Sequence, residues 1–319
     1  MFLSFGVIFV VDKVCNILSV AMCTSLIRKI VVVVVLVVCA SSSLQAQTSQ
    51  LAQPLKSADD RKVSHLLERH VGRGFANTWN IGSAKKLNGK IYVLEIWLAS
   101  SNNLWNLSDM TSMRRKVVNA VRWLEALTRK YGSDAVFEVG SFFGPDNRGI
   151  VVDELPKSYN DCFDFSQILM SVLNKLGYVN ETHFYKRICS IYNADNLAVL
   201  LIINGDGRSS ASQFSVGHLN GYRSKFLETA FIFVSNNNIP TESQCIAHEI
   251  LHLFGAWDMY KGQVSEQSAK WAMSNYPNEI MLQVLSPLDE LVVSPLTAWL
   301  TGLSTEYCDW YWNFVRTTK

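Results

Sequence analysis

The chain has 319 residues, of which 49% are hydrophobic, with 29 basic and 27 acidic side chains and a formal net charge of +2. A charge balance this close to neutral does not favour a function in binding nucleic acid or an anionic membrane surface. The length and the hydrophobic content are sufficient for one substantial folded domain after a short leader.

The first 46 residues have the pattern of a secretory signal peptide. Two basic residues precede an apolar run at 30–40, which includes five consecutive valines, and small residues follow up to Ala46. This order is typical of a cleaved leader, so we predict cleavage after Ala46, with Met22 as an alternative start, and a secreted or periplasmic protein. The run is too short to cross a membrane comfortably, so we expect no stable membrane insertion. Lipid attachment at Cys39 is the alternative.

The chain expected after cleavage is neutral and retains four cysteines. Cleavage removes three basic residues and one acidic residue, which leaves 26 of each. An even number of cysteines in an exported chain allows two disulfides in three possible connectivities, and four buried thiols are equally compatible with the sequence. The four are Cys162, Cys189, Cys245 and Cys308.

Hydrophobic periodicity predicts alternating strands and helices after the leader. Residues 47–85 are predicted to form a polar N-terminal segment with a brace helix at 58–72, and residues 86–319 to form one domain. Within that domain we predict strands at 90–99, 135–143, 197–203 and 229–234, helices at 113–131, 165–176 and 295–303, and a turn at 204–207. The turn lacks the remaining acidic positions of a calcium loop. Strands that alternate with long helices imply an α/β (α+β) fold with a mixed sheet.

The most informative motif is His248-Glu249-x-x-His252, which lies among apolar residues. Positions i and i+4 of a helix lie on one face, so both imidazoles can bind one cation. The carboxylate of Glu249 lies to one side, where it can reach a metal-bound water instead of the metal. Because polar groups on a buried helix need partners, we predict a Zn²⁺ site with Glu249 as the general base.

A third metal ligand is expected after the helix. Gly255 can adopt the positive φ of a helix C′ residue and turn the chain back, which favours Asp258 as the third ligand. The alternative is that Asp258 caps the next turn and that a later glutamate binds the metal. The candidates for that role are Glu266, Glu279 and Glu290.

The extended motif His248-Glu249-x-x-His252-x-x-Gly255-x-x-Asp258 resembles the zinc signature of the metzincin clan of metalloendopeptidases. Most of that clan has His as the last ligand, and the Asp form resembles the snapalysin type. The resemblance implies a mixed twisted sheet, an active-site helix that binds zinc, a Met-containing turn below the metal and a C-terminal helix.

The same resemblance implies further roles downstream and upstream of the motif. Met281 follows a Pro and an Asn, which are turn residues, and is the candidate for the Met-containing turn; an ordinary core methionine is the alternative. Substrate is expected to lie extended along an exposed strand edge at 229–234. Tyr260 and Tyr276 are each candidates for a hydroxyl donor to the oxyanion of the reaction.

These features together predict an exported zinc-dependent endopeptidase that hydrolyses protein or peptide substrates. His248, His252 and Asp258 are its predicted metal ligands, and Glu249 accepts the proton of the attacking water. One alternative is a zinc amidase that acts on cell-wall peptides with the same metal site and a different cleft. Another is a non-catalytic binding protein on the same scaffold, although such a protein has no use for Glu249. No nucleic-acid partner is expected.

Overall fold

A computed structural model of the chain describes residues 82–144, 146–153, 155, 165–212 and 227–314. The chain divides into two compact units, Met1–Ser57 and Ala58–Lys319, and all described residues lie in the second. The predicted leader, the predicted brace helix and Cys162 lie outside the described residues. None of the described helices combines the length and the apolar character needed to cross a membrane.

A mixed sheet forms the centre of the fold, as predicted. In the described part of the chain its strands are β1 Lys90–Ala99, β2 Val136–Phe142, β3 Ile150–Val151, β4 Asn196–Asp206, β5 Ser210–Ser212, β6 Thr229–Asn236 and β7 Ile239–Pro240. The main strands lie in the order β2-β1-β4-β6-β5, while β3 pairs with β1 and β7 pairs with β6. β1 is parallel to β2, β3 and β4, and β4 is parallel to β6. β5 and β7 run antiparallel to β6.

Helices cover both faces of this sheet. The described helices are α1 Leu107–Lys130, α2 Phe165–Lys175, α3 Glu181–Tyr192, α4 Ser243–Leu253, α5 Glu266–Asn275 and α6 Pro295–Leu300, with 3₁₀ turns at Leu288–Glu290 and Asp309–Phe314. Apolar residues of α1 and α4 share one core with the sheet, and those of α2 and α3 share a second core on the other face. The mixed α/β fold is therefore confirmed.

The interior strand β1 contributes side chains to both cores because successive residues of a strand point to opposite faces. Ile91, Val93 and Trp97 lie in the core shared with α1 and α4. Leu94 and Ile96 lie in the core shared with α2 and α3. A strand buried on both faces is typical of parallel sheets covered by helices.

Two helices, α3 and α5, are absent from the predicted elements, although both begin at recognisable N-caps. Asn180 accepts a hydrogen bond from the backbone of α3 through its side chain, and Ser265 does the same for α5. Such caps satisfy backbone N–H groups that have no partner within the helix. α1 likewise begins at Leu107 rather than at 113, because Asn106 caps it.

The predicted turn at 204–207 is wrong in its extent, since β4 continues to Asp206. Its pairing with β6 resumes between Asp206 and Ser235 after an irregularity in register. The carboxylate of Asp206 accepts hydrogen bonds from the backbone N–H groups of Asn237 and Asn238, at 3.1 and 2.9 Å. Both asparagines have positive φ, so this acid stabilises the turn between β6 and β7.

Candidate metal site

α4 carries the predicted motif into the core of the fold. His248, Glu249 and His252 are 8%, 6% and 7% exposed. The start of the helix is fixed to α1 by Lys116, whose Nζ donates a hydrogen bond to the carbonyl oxygen of Thr241 at 2.7 Å. Three polar side chains on a helix this deeply buried require partners of their own.

Three of the predicted site atoms converge on one position. The Nε2 atoms of His248 and His252 lie 3.1 Å apart, and Asp258 Oδ1 lies 3.2 Å from the first and 3.0 Å from the second. Ligand atoms bound about 2.0 Å from a tetrahedral zinc ion lie about 3.3 Å apart. The triangle therefore has close to the size that three ligands of one small metal cation require.

The other ring nitrogens show which atoms of the imidazoles are acceptors. His248 Nδ1 lies 2.9 Å from the carbonyl oxygen of Ile280, and His252 Nδ1 lies 2.8 Å from that of Ala256. A carbonyl oxygen only accepts, so each Nδ1 carries a proton and donates it. In a neutral imidazole Nε2 is then an acceptor. Two such nitrogens and a carboxylate oxygen at this distance require a positive charge among them, either a proton or a metal ion.

The ionisation of the group follows from the same contacts. Burial lowers the pKa of His248, but the hydrogen bond to Asp258 and the charges of both acids outweigh this effect and raise it to about 8. Burial raises the pKa of Asp258, but its contacts with both histidines outweigh this effect and hold the pKa well below its usual range. In the absence of a metal the group therefore shares a proton, and a metal cation would replace that proton.

The turn after α4 brings Asp258 back to the histidines. Gly255 has a φ of +96°, the left-handed conformation that the sequence predicts for it. Its N–H donates to the carbonyl oxygen of His252 at 2.9 Å, and the N–H of Ala256 donates to that of Leu251 at 3.1 Å. The turn thus supplies two parts of the site, the carbonyl that orients His252 and the carboxylate of Asp258.

The glutamates that were alternatives to Asp258 have other surroundings. Glu266 forms a surface ion pair within α5, and Glu290 is exposed. Glu279 is fully buried, but its carboxylate accepts hydrogen bonds from Thr297 Oγ1 at 2.9 Å and from the backbone N–H of Ser294. Of the four candidate acids, Asp258 is the one that contacts both imidazoles.

Glu249 lies beside the converging atoms. One ligand atom each of His248, Glu249 and His252 lies within 4.8 Å of the others, and this buried group could hold a metal ion. Burial raises the pKa of Glu249, although both histidines oppose the rise. Its Oε2 has no hydrogen-bond partner among the described residues. A buried carboxylate oxygen without a donor is available to take up a proton from a bound water.

The two tyrosines proposed from the sequence lie in different places. Tyr260 is half-buried, its hydroxyl oxygen accepts a hydrogen bond from Arg208 Nη2 at 3.1 Å, and it interacts with Asp258. Burial, together with the charge of Asp258, raises the pKa of Tyr260 to about 12. Tyr276 instead stacks on Trp310, with ring centroids 5.6 Å apart. Tyr260 is therefore the tyrosine near the site.

The segment that ends at Met281 lies directly beside the site. The carbonyl oxygen of Ile280 accepts the hydrogen bond from His248, and that of Met281 accepts one from the N–H of Met259 at 2.8 Å. Met281 is fully buried. The segment is thus tied both to the first histidine and to the residue after Asp258.

The expectation that residues 229–234 form an exposed strand edge is wrong for residues 229–231. β6 pairs with β4 over residues 229–233 and with β5 over residues 229–231. β5 is the terminal strand on this side of the described sheet. The prediction fails because a strand of three residues is too short to show an alternating pattern.

The three described cysteines Cys189, Cys245 and Cys308 are thiols in the structure. Burial raises the pKa of Cys189, and it raises that of Cys245 to about 12. A thiol with a raised pKa is a poor nucleophile and a poor metal ligand, so neither of these two adds a donor to the site.

Comparison of the chain with protein-family models, with curated proteins and with solved structures finds no match in any of the three. The function is therefore interpreted from the atoms of the site and from the motif that carries them.

Proposed function

We propose that this protein is an exported zinc-dependent endopeptidase related to the metzincin clan. The observation that carries the proposal is the convergence of His248 Nε2, His252 Nε2 and Asp258 Oδ1, with Glu249 beside them. The left-handed Gly255 supports it, because this turn explains the spacing between the second histidine and the acid.

The set of donor atoms favours zinc over other common metal ions. Calcium and magnesium take oxygen ligands, whereas this group offers two imidazole nitrogens and one carboxylate. Three protein ligands leave one coordination position open, which is the arrangement of catalytic zinc sites; structural sites have four protein ligands. Both imidazoles are also oriented through Nδ1 by a backbone carbonyl, as is usual for histidines that bind zinc.

The chemistry proposed for the side chains follows from where they lie. A zinc ion held here would lower the pKa of a bound water and polarise a substrate carbonyl. Glu249 accepts a proton from the attacking water and passes it to the leaving amine. Because Tyr260 keeps its proton up to a pH near its raised pKa of about 12, its hydroxyl can donate to the oxygen on which negative charge develops.

The terminal strand β5 is the proposed binding edge for an extended substrate. It lies next to β6 at the end of the described sheet, and β6 leads through β7 into α4. Backbone hydrogen bonds along such an edge hold a peptide irrespective of its sequence. This placement replaces residues 229–234, of which 229–231 lie one strand further inside.

Metal content and hydrolysis of the same samples test the proposal. We expect about one zinc per chain by elemental analysis and digestion of casein by the purified protein. The Glu249→Gln variant should keep the zinc and lose about 10²- to 10⁴-fold in turnover, the usual contribution of a general base. Normal turnover by this variant would remove Glu249 from the mechanism. Release of peptidoglycan fragments without casein digestion would favour the amidase alternative.

A further inference from the structure

We propose that Arg208 selects substrates that carry a carboxylate next to the bond to be cleaved. This inference rests on the proposed peptidase activity and adds a substrate class to it. No sequence motif singles out Arg208, because its importance depends on contacts with residues far away in the chain.

The backbone around Arg208 is fixed on both sides. The N–H of Gly207 donates to the carbonyl oxygen of Ser235 at 2.8 Å, and Ser209 Oγ accepts from the N–H of Phe233 at 3.1 Å. Gly207 and Ser209 are buried, whereas Arg208 between them is exposed. The guanidinium therefore projects from an anchored position immediately before β5, the proposed binding edge.

The guanidinium also lies close to the proposed catalytic groups. Arg208 Nη2 donates to the hydroxyl oxygen of Tyr260 at 3.1 Å. Its charge interacts electrostatically with the carboxylate of Glu249 and with Tyr260. A guanidinium has five N–H donors, so donors remain for a substrate group after the contact with Tyr260.

Arg208 has no acidic partner within the described part of the chain, where the ion pairs involve other basic residues. With a divalent cation bound, the charges of Glu249 and Asp258 would balance the metal and Arg208 would leave the site positive. A positively charged site favours an anionic substrate group.

Carboxylate is the group that fits best, because it accepts two parallel hydrogen bonds from one guanidinium. Next to a scissile bond this group has two sources, the side chain of Asp or Glu, and the C-terminus of the chain when the last peptide bond is the one cleaved. Both present the same two oxygens to Arg208, so matched probes are needed to separate them.

The test uses a fluorescence-quenched peptide whose cleavage site has been mapped by mass spectrometry. It is made with Glu or Gln on either side of the scissile bond, and with a free acid or an amide at the C-terminus. We expect wild type to prefer one carboxylate form by about 10- to 100-fold in kcat/KM, the value of a charge-assisted contact. The Arg208→Gln variant should lose this preference, and Arg208→Lys should keep part of it. Arg129→Gln, on the exposed side of α1, is the matched control.

Each outcome bears on one claim. A preference for internal Glu identifies the side-chain source, and a preference for the free acid identifies the C-terminal source. Equal cleavage of all forms by wild type would overturn the inference and leave the proposed peptidase activity intact. An unchanged preference in Arg208→Gln, with lower rates for every probe, would also overturn it. Arg208 would then act only through its interactions with Tyr260 and Glu249. Absence of cleavage by wild type would overturn the proposed function and the inference with it.

Discussion

Two buried polar clusters lie within a few residues of each other and differ in how their charges are satisfied. Around Glu279, donors surround one acid: Thr297 Oγ1 and the N–H groups of Ser294 and Met281 all point to its carboxylate. In the metal-site cluster, made of His248, His252 and Asp258, three acceptor atoms face one another, and the donors of the imidazoles point away to backbone carbonyls.

The difference separates a structural polar cluster from one that could hold a metal ion. A buried acid that accepts several hydrogen bonds is complete without any further group. A set of converging acceptors is complete only when a cation lies among them. The two clusters share the segment around Ile280. Glu279 anchors this segment, and the carbonyl oxygen of Ile280 orients His248. The structural cluster thus positions the candidate metal-site cluster.

Removal of Asp258 should have the largest effect on the metal-site cluster. Asp258→Ala deletes one of the three proposed ligands, so we expect zinc binding to weaken by more than about 100-fold, beyond the loss usual when a residue that only hydrogen-bonds to a ligand is changed. Competition with a chromophoric chelator measures the affinity. Glu290→Ala, at an exposed glutamate that the sequence also offers as a ligand, is the control and should bind zinc as wild type does. Unchanged affinity in Asp258→Ala would mean that another acid completes the site.

Removal of Glu279 should instead lower the stability of the fold. Glu279→Ala leaves the N–H of Ser294 and the hydroxyl of Thr297 buried without their acceptor, so we expect a loss of about 2 kcal/mol in the free energy of unfolding. Urea unfolding of the metal-free chain measures it, and Glu279→Gln should lose less because it keeps one carbonyl oxygen. A loss of zinc affinity as large as that of Asp258→Ala would contradict the distinction between the clusters.

The sequence predicts the metal-site cluster well because its parts are close in the chain. Helix periodicity brings His248 and His252 to one face, and a single left-handed glycine returns Asp258 to them, so local rules suffice. The anchoring of Glu279 depends on α6, and the role of Arg208 depends on Tyr260, so neither can be found from spacing. β5 is not predicted because it is short. Without β5 among the predicted strands, the expected substrate edge is placed one strand too far inside the sheet.

Another buried acid, Glu95 of β1, is intermediate between Glu279 and Glu249 in how far its carboxyl is hydrogen-bonded. Its Oε2 accepts hydrogen bonds from Trp97 Nε1 at 3.2 Å and from Ser141 Oγ, whereas its Oε1 has no hydrogen-bond partner among the described residues. Burial is the main effect on its pKa and raises it, against those two hydrogen bonds and the charge of Arg114. Oε2 of Glu95 thus has hydrogen-bond donors, as the carboxylate of Glu279 does. Oε1 of Glu95 has none among the described residues, as is also the case for Oε2 of Glu249.

The consequence is a stability that depends on pH with a defined sign. Because the pKa is higher in the folded than in the unfolded chain, folding binds a proton, and stability falls as the pH rises above the unfolded value of about 4.5. Glu95→Gln, which stays neutral, should therefore match wild type near pH 4 and exceed it at pH 8 by about 1 kcal/mol, the lower end of the cost of an unsatisfied buried group. Urea unfolding at both pH values, with the exposed Glu290→Gln as control, measures the difference. Parallel pH profiles for Glu95→Gln and wild type would show that Oε1 has a donor, and would place Glu95 with Glu279 as a fully satisfied structural acid.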